Sequence, residues 1–246
     1  DQDPEWLFTR NADEIAAPSQ AIADRLLAEW DLDPELISVF PLPFSPAPDL
    51  LALPVPTSVG TVGFLGRLEA RKGVVELARA IPFILRRAPN LRFRFLGPSW
   101  PYRGSDMESW IRRHCRAFLD RITFVGPVPR ERLAAELAIC DAMVLPSRWE
   151  NFPFACWEAL ASGRVVIGSS SGGMAEVIEP GLNGLLVPPH SPEAIQAAVL
   201  SLVDHPERVA SLAAAGRQRV LEHLSPEHIL PLQLASYERA IARARQ

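Results

Sequence analysis

Residues 142–168 read AMVLPSRWENFPFACWEALASGRVVIG. The first and last four residues, 142–145 and 165–168, are short apolar runs of the length expected for buried strands. Between them lie a polar and aromatic loop and a helical stretch over 155–161. Pro153 suits the first turn of that helix, where a missing N–H goes unneeded and φ is already set. A strand, a crossover helix and a second strand require the two strands to be parallel.

The same alternation extends in both directions. Apolar runs at 59–65, 91–96, 122–125 and 185–187 are further strands, and helical spacing recurs over 74–87, 107–119, 130–139 and 192–203. That order predicts an α/β fold, a Rossmann-like doubly wound parallel sheet with right-handed crossovers. Two helices, over 206–223 and 228–245, close the chain. Upstream, residues 14–19 read as a short strand ending at a cap and 20–30 as a helix, one unit without neighbours. From 40 to 56 the chain carries Pro41, Pro43, Pro46, Pro48, Pro54 and Pro56, which disfavour both helix and central strand. The expected organisation is a first segment over 1–45, a linker over 46–58, the sheet domain over 59–225 and a terminal helix over 226–246.

Composition excludes several classes. With 48% hydrophobic and 22% charged residues the chain is an ordinary globular one. Lys and Arg number 25 against 29 Asp and Glu, a net charge of −4, which leaves no surplus for a nucleic-acid backbone. Cys115, Cys140 and Cys156 are odd in number and show no CxxC spacing, which argues against a disulfide framework or a zinc site and for a reducing cytoplasm. No apolar run reaches the roughly 20 residues of a membrane span. The chain opens on Asp1, in what reads as mid-domain material, so a fragment of a longer protein is expected.

In an open parallel sheet, ligands bind beyond the carboxyl ends of the strands. After the first strand comes Gly66-Arg67-Leu68-Glu69-Ala70-Arg71-Lys72-Gly73. A diphosphate suits this loop, because Arg67 offers a planar fork, Lys72 a point charge and the next helix its unpaired N–H groups. Solvation of the loop by Arg71 and Lys72 fits these residues equally well. Glu150 and Glu158 stand eight apart, about 80° in projection on one helix. With Pro153 starting the helix, Glu150 falls in the loop and Glu158 on the helix, and both can face one cleft and accept sugar hydroxyls. A surface charge and a helix-dipole partner are the alternatives. Ser171-Gly172-Gly173 is a turn that can present N–H groups to an anion or simply reverse the chain. Asp31-Leu32-Asp33 matches a metal-binding DxD pair but follows a helix, so no metal is expected. Trp100, Tyr102 and Trp110 are read as packing ahead of stacking on a ligand.

Taken in order, these residues resemble the large retaining GT-B glycosyltransferase group. Gly66-Arg67 with Lys72-Gly73 resembles its diphosphate grip, Phe124-Val125-Gly126-Pro127-Val128 its base-side turn, and Glu150 to Glu158 its E-x7-E signature. Ser171-Gly172-Gly173 with Glu176-Val177, then Asn183-Gly184-Leu185-Leu186-Val187, continue the order. The resemblance implies a retaining, metal-independent transferase using a nucleotide-sugar donor, uridine ahead of guanosine, with no further cofactor. By it, Gly66, Arg67 and Lys72 hold the diphosphate, Glu158, Gly126 and Val128 the nucleoside, and Asn151, Phe152 and Phe154 a backbone cradle for sugar and phosphate. Glu150 would position the sugar at the catalytic centre. Pro153 stands where the family often has glycine and offers no N–H. Residues 16–30 resemble the end of the acceptor-side domain, most of which is then absent, together with its glycine-rich loop and its His. The last helix resembles the segment that crosses back to that domain, with a peripheral membrane contact through its arginines as a secondary expectation. A nucleotide-sugar epimerase and a binding module without turnover are the competing functions, and the acceptor is unknown.

Overall fold

The computed structural model describes residues 4–245. In chain order the elements are α1 (Pro4–Arg10), β1 (Ile15–Ala17), α2 (Gln20–Trp30), β2 (Ile37–Val39), α3 (Pro48–Leu51), β3 (Thr61–Leu65), α4 (Val74–Arg87), β4 (Arg92–Leu96), β5 (Pro101–Tyr102), β6 (Ser105–Asp106) and α5 (Met107–His114). They continue as β7 (Ile122–Gly126), α6 (Arg130–Ala138), β8 (Ala142–Leu145), α7 (Phe154–Ala161), β9 (Val165–Ser169), α8 (Met174–Val177), β10 (Leu185–Val187), α9 (Pro192–Asp204), α10 (Val209–His223) and α11 (Pro226–Arg243). The chain divides into two compact units, 46–220 and the pair of segments 1–45 and 221–246.

In the larger unit, among the described residues, six strands form one parallel sheet in the order β10-β9-β8-β3-β4-β7. This is the expected doubly wound arrangement. Val62, Phe64, Ala142, Val144, Val165 and Ile167 project into one core with α4 and α9, while the alternating Met143, Leu145 and Val166 are buried outside that cluster. Both faces are therefore covered, which is why the strands read as continuous apolar runs. The helix α4 buries Ala78 together with Val74, Val75, Leu77, Ile81, Ile84 and Leu85, these last six worth about 1.5–3 kcal/mol each. Its Pro82 cannot donate to the Ala78 carbonyl, and the Cys115 thiol donates there instead at 3.4 Å.

The structure departs from expectation in four places. The stretch expected as a free linker over 46–58 contains α3, and it packs within the larger unit: Leu50 is buried, Arg217 donates to the Leu53 carbonyl at 2.7 Å, and Arg164 to that of Pro54. Pro54 lacks a donor, but its carbonyl accepts from the buried Arg164 guanidinium. The helix expected over 107–119 stops at His114, where Cys115 leaves helical geometry at φ −100° and ψ 20°, and a 3-10 stretch with Phe118 at φ −134° follows. The aromatic loop forms the small β5–β6 hairpin, against which Trp110 packs edge-on to Tyr102 at 5.5 Å. Packing is thus what Tyr102 and Trp110 do.

In the smaller unit β1 is not without neighbours, since it pairs in parallel with β2, Ile15 opposite Ile37. Ser19 caps α2 by accepting from Ile22 N–H at 3.3 Å. The two aspartates of the DxD match serve local structure: Asp31 is a left-handed C-cap at φ 49° and Asp33 accepts from Glu35 N–H at 2.9 Å. Glu14, with a side chain 4% exposed, accepts from Ser38, from Ser236 at 3.2 Å, and from Arg239 at 3.0 Å and Arg243 on α11. Among the described residues no helix is long and apolar enough to cross a membrane.

Candidate functional site

The strands β3 and β8 are neighbours, but the chain leaves β3 toward β4 on one side and β8 toward β9 on the other. The loops after these strands diverge at the carboxyl edge and leave a crevice, the switch point at which such sheets bind ligands. A cavity of about 270 Å³ lies there, walled by Phe64 and Leu65 of β3, Leu145 of β8, and Lys72, Ser147 and Glu150 of the two loops. Phe152, Phe154 and Met174 close its far side.

The two loops are joined by backbone as well as by charge. Arg148 N–H donates to the Arg71 carbonyl at 2.8 Å, and the Arg71 guanidinium to the Trp149 carbonyl at 3.2 Å. Gly73, at φ 71°, lies so close to Pro146 that a Cβ would stand 1.9 Å from its carbonyl oxygen. This contact fixes Lys72, whose Nζ meets Glu150 Oε1 at 2.5 Å. Glu150 is only 8% exposed and also faces Arg71 Nη1 at 3.6 Å. A buried carboxylate is retained here because cations surround it.

Behind Glu150 stands the Ser171-Gly172-Gly173 turn. Gly173 N–H donates to the Glu150 carbonyl at 2.9 Å, and Gly172, at φ 78°, approaches it so closely that a Cβ would be 2.2 Å from that oxygen. The expectation that this turn offers its N–H groups to an anion is corrected for Gly173, whose donor is committed to Glu150. The turn supports the acidic loop from behind. A Gly-Gly pair is a legible signal for close backbone approach, but its partner is 22 residues upstream and invisible in sequence.

Of the sequence-predicted site residues, Glu150, Lys72, Phe152 and Phe154 line the cavity. Gly66 adopts φ 144° and its N–H is taken by the Leu96 carbonyl at 2.9 Å, while its own carbonyl is approached so closely by Gly97 that a Cβ there would stand 2.0 Å away. Arg67 lies outside the wall, held by Glu69 at 3.2 Å and over the Trp100 ring at 5.1 Å. Asn151 is exposed and accepts from Trp149 Nε1 at 2.9 Å. Glu158 does not share the cavity wall with Glu150: it sits on α7, half-buried. Burial raises its carboxyl above the ordinary value, and Arg130 at the start of α6 pulls the other way. In the turn after β7, Gly126 takes φ 77° with open space over its Cα, and Val128 is half-buried. Cys156 also lines the cavity, and burial pushes its thiol pKa up. Among the described residues no three His, Cys, Asp or Glu side chains cluster as metal ligands.

The sequence profile of the group 1 glycosyl transferases matches residues 52–219. The chain belongs to that family. It is 33% identical over 216 residues to the D-inositol 3-phosphate glycosyltransferase of Corynebacterium kroppenstedtii, covering 80% of this chain and 47% of that protein. It is 30% identical over 251 residues to the alpha-maltose-1-phosphate synthase of Mycolicibacterium smegmatis, covering 94% and 64%. Among solved structures, sucrose-phosphate synthase from Thermosynechococcus elongatus superposes with a TM-score of 0.77 at 28% identity, over 98% of this chain and 61% of that one. HepE of Anabaena, solved in complex with UDP, shares the fold with a TM-score of 0.77 at 19% identity, over 94% and 64%. The chain thus spans about half the length of the D-inositol 3-phosphate glycosyltransferases it matches.

Proposed function

We propose that the chain is the donor-binding part of a retaining glycosyltransferase, which moves a sugar from a nucleoside diphosphate, uridine first, to an acceptor without a metal ion. The observation that carries this reading is the Lys72–Glu150 pair at the switch crevice, one cation and one carboxylate brought together from two loops at 2.5 Å. A phosphate oxygen is a better partner for the ammonium than a carboxylate already balanced by Arg71, so an arriving diphosphate takes Lys72 and leaves Glu150 to accept hydroxyls of the donor sugar. The diphosphate gains charge as the glycosidic bond breaks, and fixed cations in a crevice stabilise that charge at little reorganisation cost. We assign the ribose hydroxyls to Glu158, whose half-buried carboxyl supports that reading. Glu150 acts by positioning and does not serve as a base. The UDP held by HepE, a protein of the same fold, supports the choice of base.

Calorimetric titration of the chain with UDP, GDP and ADP in chelator tests this. UDP binding is expected, weakened about 10- to 100-fold by Lys72→Ala, the worth of one charge-assisted hydrogen bond. Absence of nucleotide binding to the folded chain, or a need for added divalent ion, refutes the reading.

A further inference from the structure

Glu69 has no part in the roles assigned so far, yet it sits among the cations they need. Its Oε1 is 3.2 Å from Arg67 Nη2 and 3.2 Å from Arg71 Nη2, and its side chain is only 15% exposed, although both arginines are nearly half-exposed. Arg71 also reaches Glu150 at 3.6 Å, and Glu150 reaches Lys72 at 2.5 Å. The five side chains alternate in sign, Arg67, Glu69, Arg71, Glu150, Lys72, so that two carboxylates occupy three cations. One flank of Arg67 is further covered by Trp100. A guanidinium that binds a carboxylate presents the same N–H donors that it would offer to phosphate oxygens. Glu69 and a diphosphate therefore compete for the same donors, and they repel each other when both are present.

We propose that Glu69 is an internal stand-in for the donor diphosphate. It holds Arg67 and Arg71 when no ligand is bound, must be displaced for them to turn to the diphosphate, and so sets the affinity for nucleoside diphosphates. The inference rests on the donor-site reading above. Arginine contacts are the only side-chain partners of the Glu69 carboxylate among the described residues, so no other group holds it in place once they turn away. An orienting role for Glu69 predicts the opposite sign on its removal.

The test is calorimetric titration of the full chain and its Glu69→Gln variant with UDP, and with uridine as a probe that carries no phosphate. Glu69→Gln is expected to bind UDP about 3- to 10-fold tighter, the effect of removing two exposed ion pairs, and uridine unchanged. Glu69→Ala moves UDP affinity the same way. Glu207→Gln removes the same charge from the exposed turn at Pro206–Arg208 and leaves UDP affinity unchanged. Unchanged or weaker UDP binding by Glu69→Gln overturns the proposal, as does equal tightening by Glu207→Gln or equal tightening of uridine. If the unaltered chain binds no UDP, the donor-site reading falls and takes this one with it; if it binds UDP and Glu69→Gln fails to tighten it, only this inference falls.

Discussion

Replacing Gly172 by alanine tests whether the turn behind Glu150 is what places its carboxylate. Two costs add. At φ 78° a side chain occupies the left-handed region, which costs about 1–2 kcal/mol. The new Cβ would also stand 2.2 Å from the Glu150 carbonyl oxygen and 3.0 Å from its nitrogen. Both are backbone atoms, so no rotamer change relieves the overlap. Restoring ordinary contact moves the Glu150 backbone by about 1 Å, which lengthens the 2.9 Å hydrogen bond from Gly173 and loses about 1 kcal/mol. The sum is roughly 2–3 kcal/mol of stability. Displacement by 1 Å also takes the carboxylate from Lys72, and misplacement on that scale costs about 100-fold in function. Gly104→Ala is the matched comparison, since Gly104 has φ 74° with nothing within 4 Å of its Cβ. Urea unfolding followed by circular dichroism gives the stabilities, and titration with UDP-sugar gives the binding. Gly104→Ala should lose about 1–2 kcal/mol and Gly172→Ala roughly 2–3 kcal/mol, with Gly172→Ala alone losing donor affinity. Wild-type donor affinity in Gly172→Ala refutes the reasoning.

Two further outcomes follow from titratable groups. Burial raises the Glu158 carboxyl above its ordinary value against the pull of Arg130, so its ionised form destabilises the fold at neutral pH, and this cost disappears as the pH falls through the folded pKa toward 4.5. Glu158→Gln should therefore melt higher than the parent near pH 7, show no gain near pH 4, and bind UDP more weakly at both; a lower melting temperature near pH 7 contradicts this. Burial alone would raise Glu14, but hydrogen bonds from Ser38, Arg239 and Ser236 and the charge of Arg239 outweigh it and hold the carboxyl below 4.5. Its contribution is complete above 4.5 and is lost as the pH falls through the lowered value. The protection of α11 amides against hydrogen exchange, taken relative to the unprotected rate at each pH, should fall on acidification in the parent, whereas Glu14→Gln should be less protected near pH 6 and change less on acidification.

The strands β3, β8 and β9 were legible because a parallel strand covered on both faces is apolar almost throughout, whereas β4 alternates Arg92, Phe93, Arg94 and Phe95 and buries the phenylalanines. The helix α4 was legible over Val74–Arg87 because one face carries the core and the other the charges. The strand Ile37–Val39 escaped notice: three residues beside a proline-rich stretch show no period, and only their pairing with β1 makes them a strand. The proline-rich stretch itself was read as a linker, because the residues that hold it, Arg164 and Arg217, lie more than 100 positions away. In the site, Lys72 and Glu150 were legible as charges at strand ends. The competing Glu69, the committed N–H of Gly66 and the support of Glu150 by Gly172 were not, since each depends on a partner outside its own segment.

The sequence by itself determined the alternation of strand and helix, and hence the fold class and the positions of the loops that could carry chemistry. These follow from periodicity and from what proline, glycine and buried apolar runs permit locally. Tertiary structure alone decided that β3 lies beside β8, which brings residues 78 positions apart onto one crevice and turns their separate charges into a single alternating chain. Strand order is set by how crossover helices pack on the two faces of the sheet, an energy of the assembled whole that no single segment encodes.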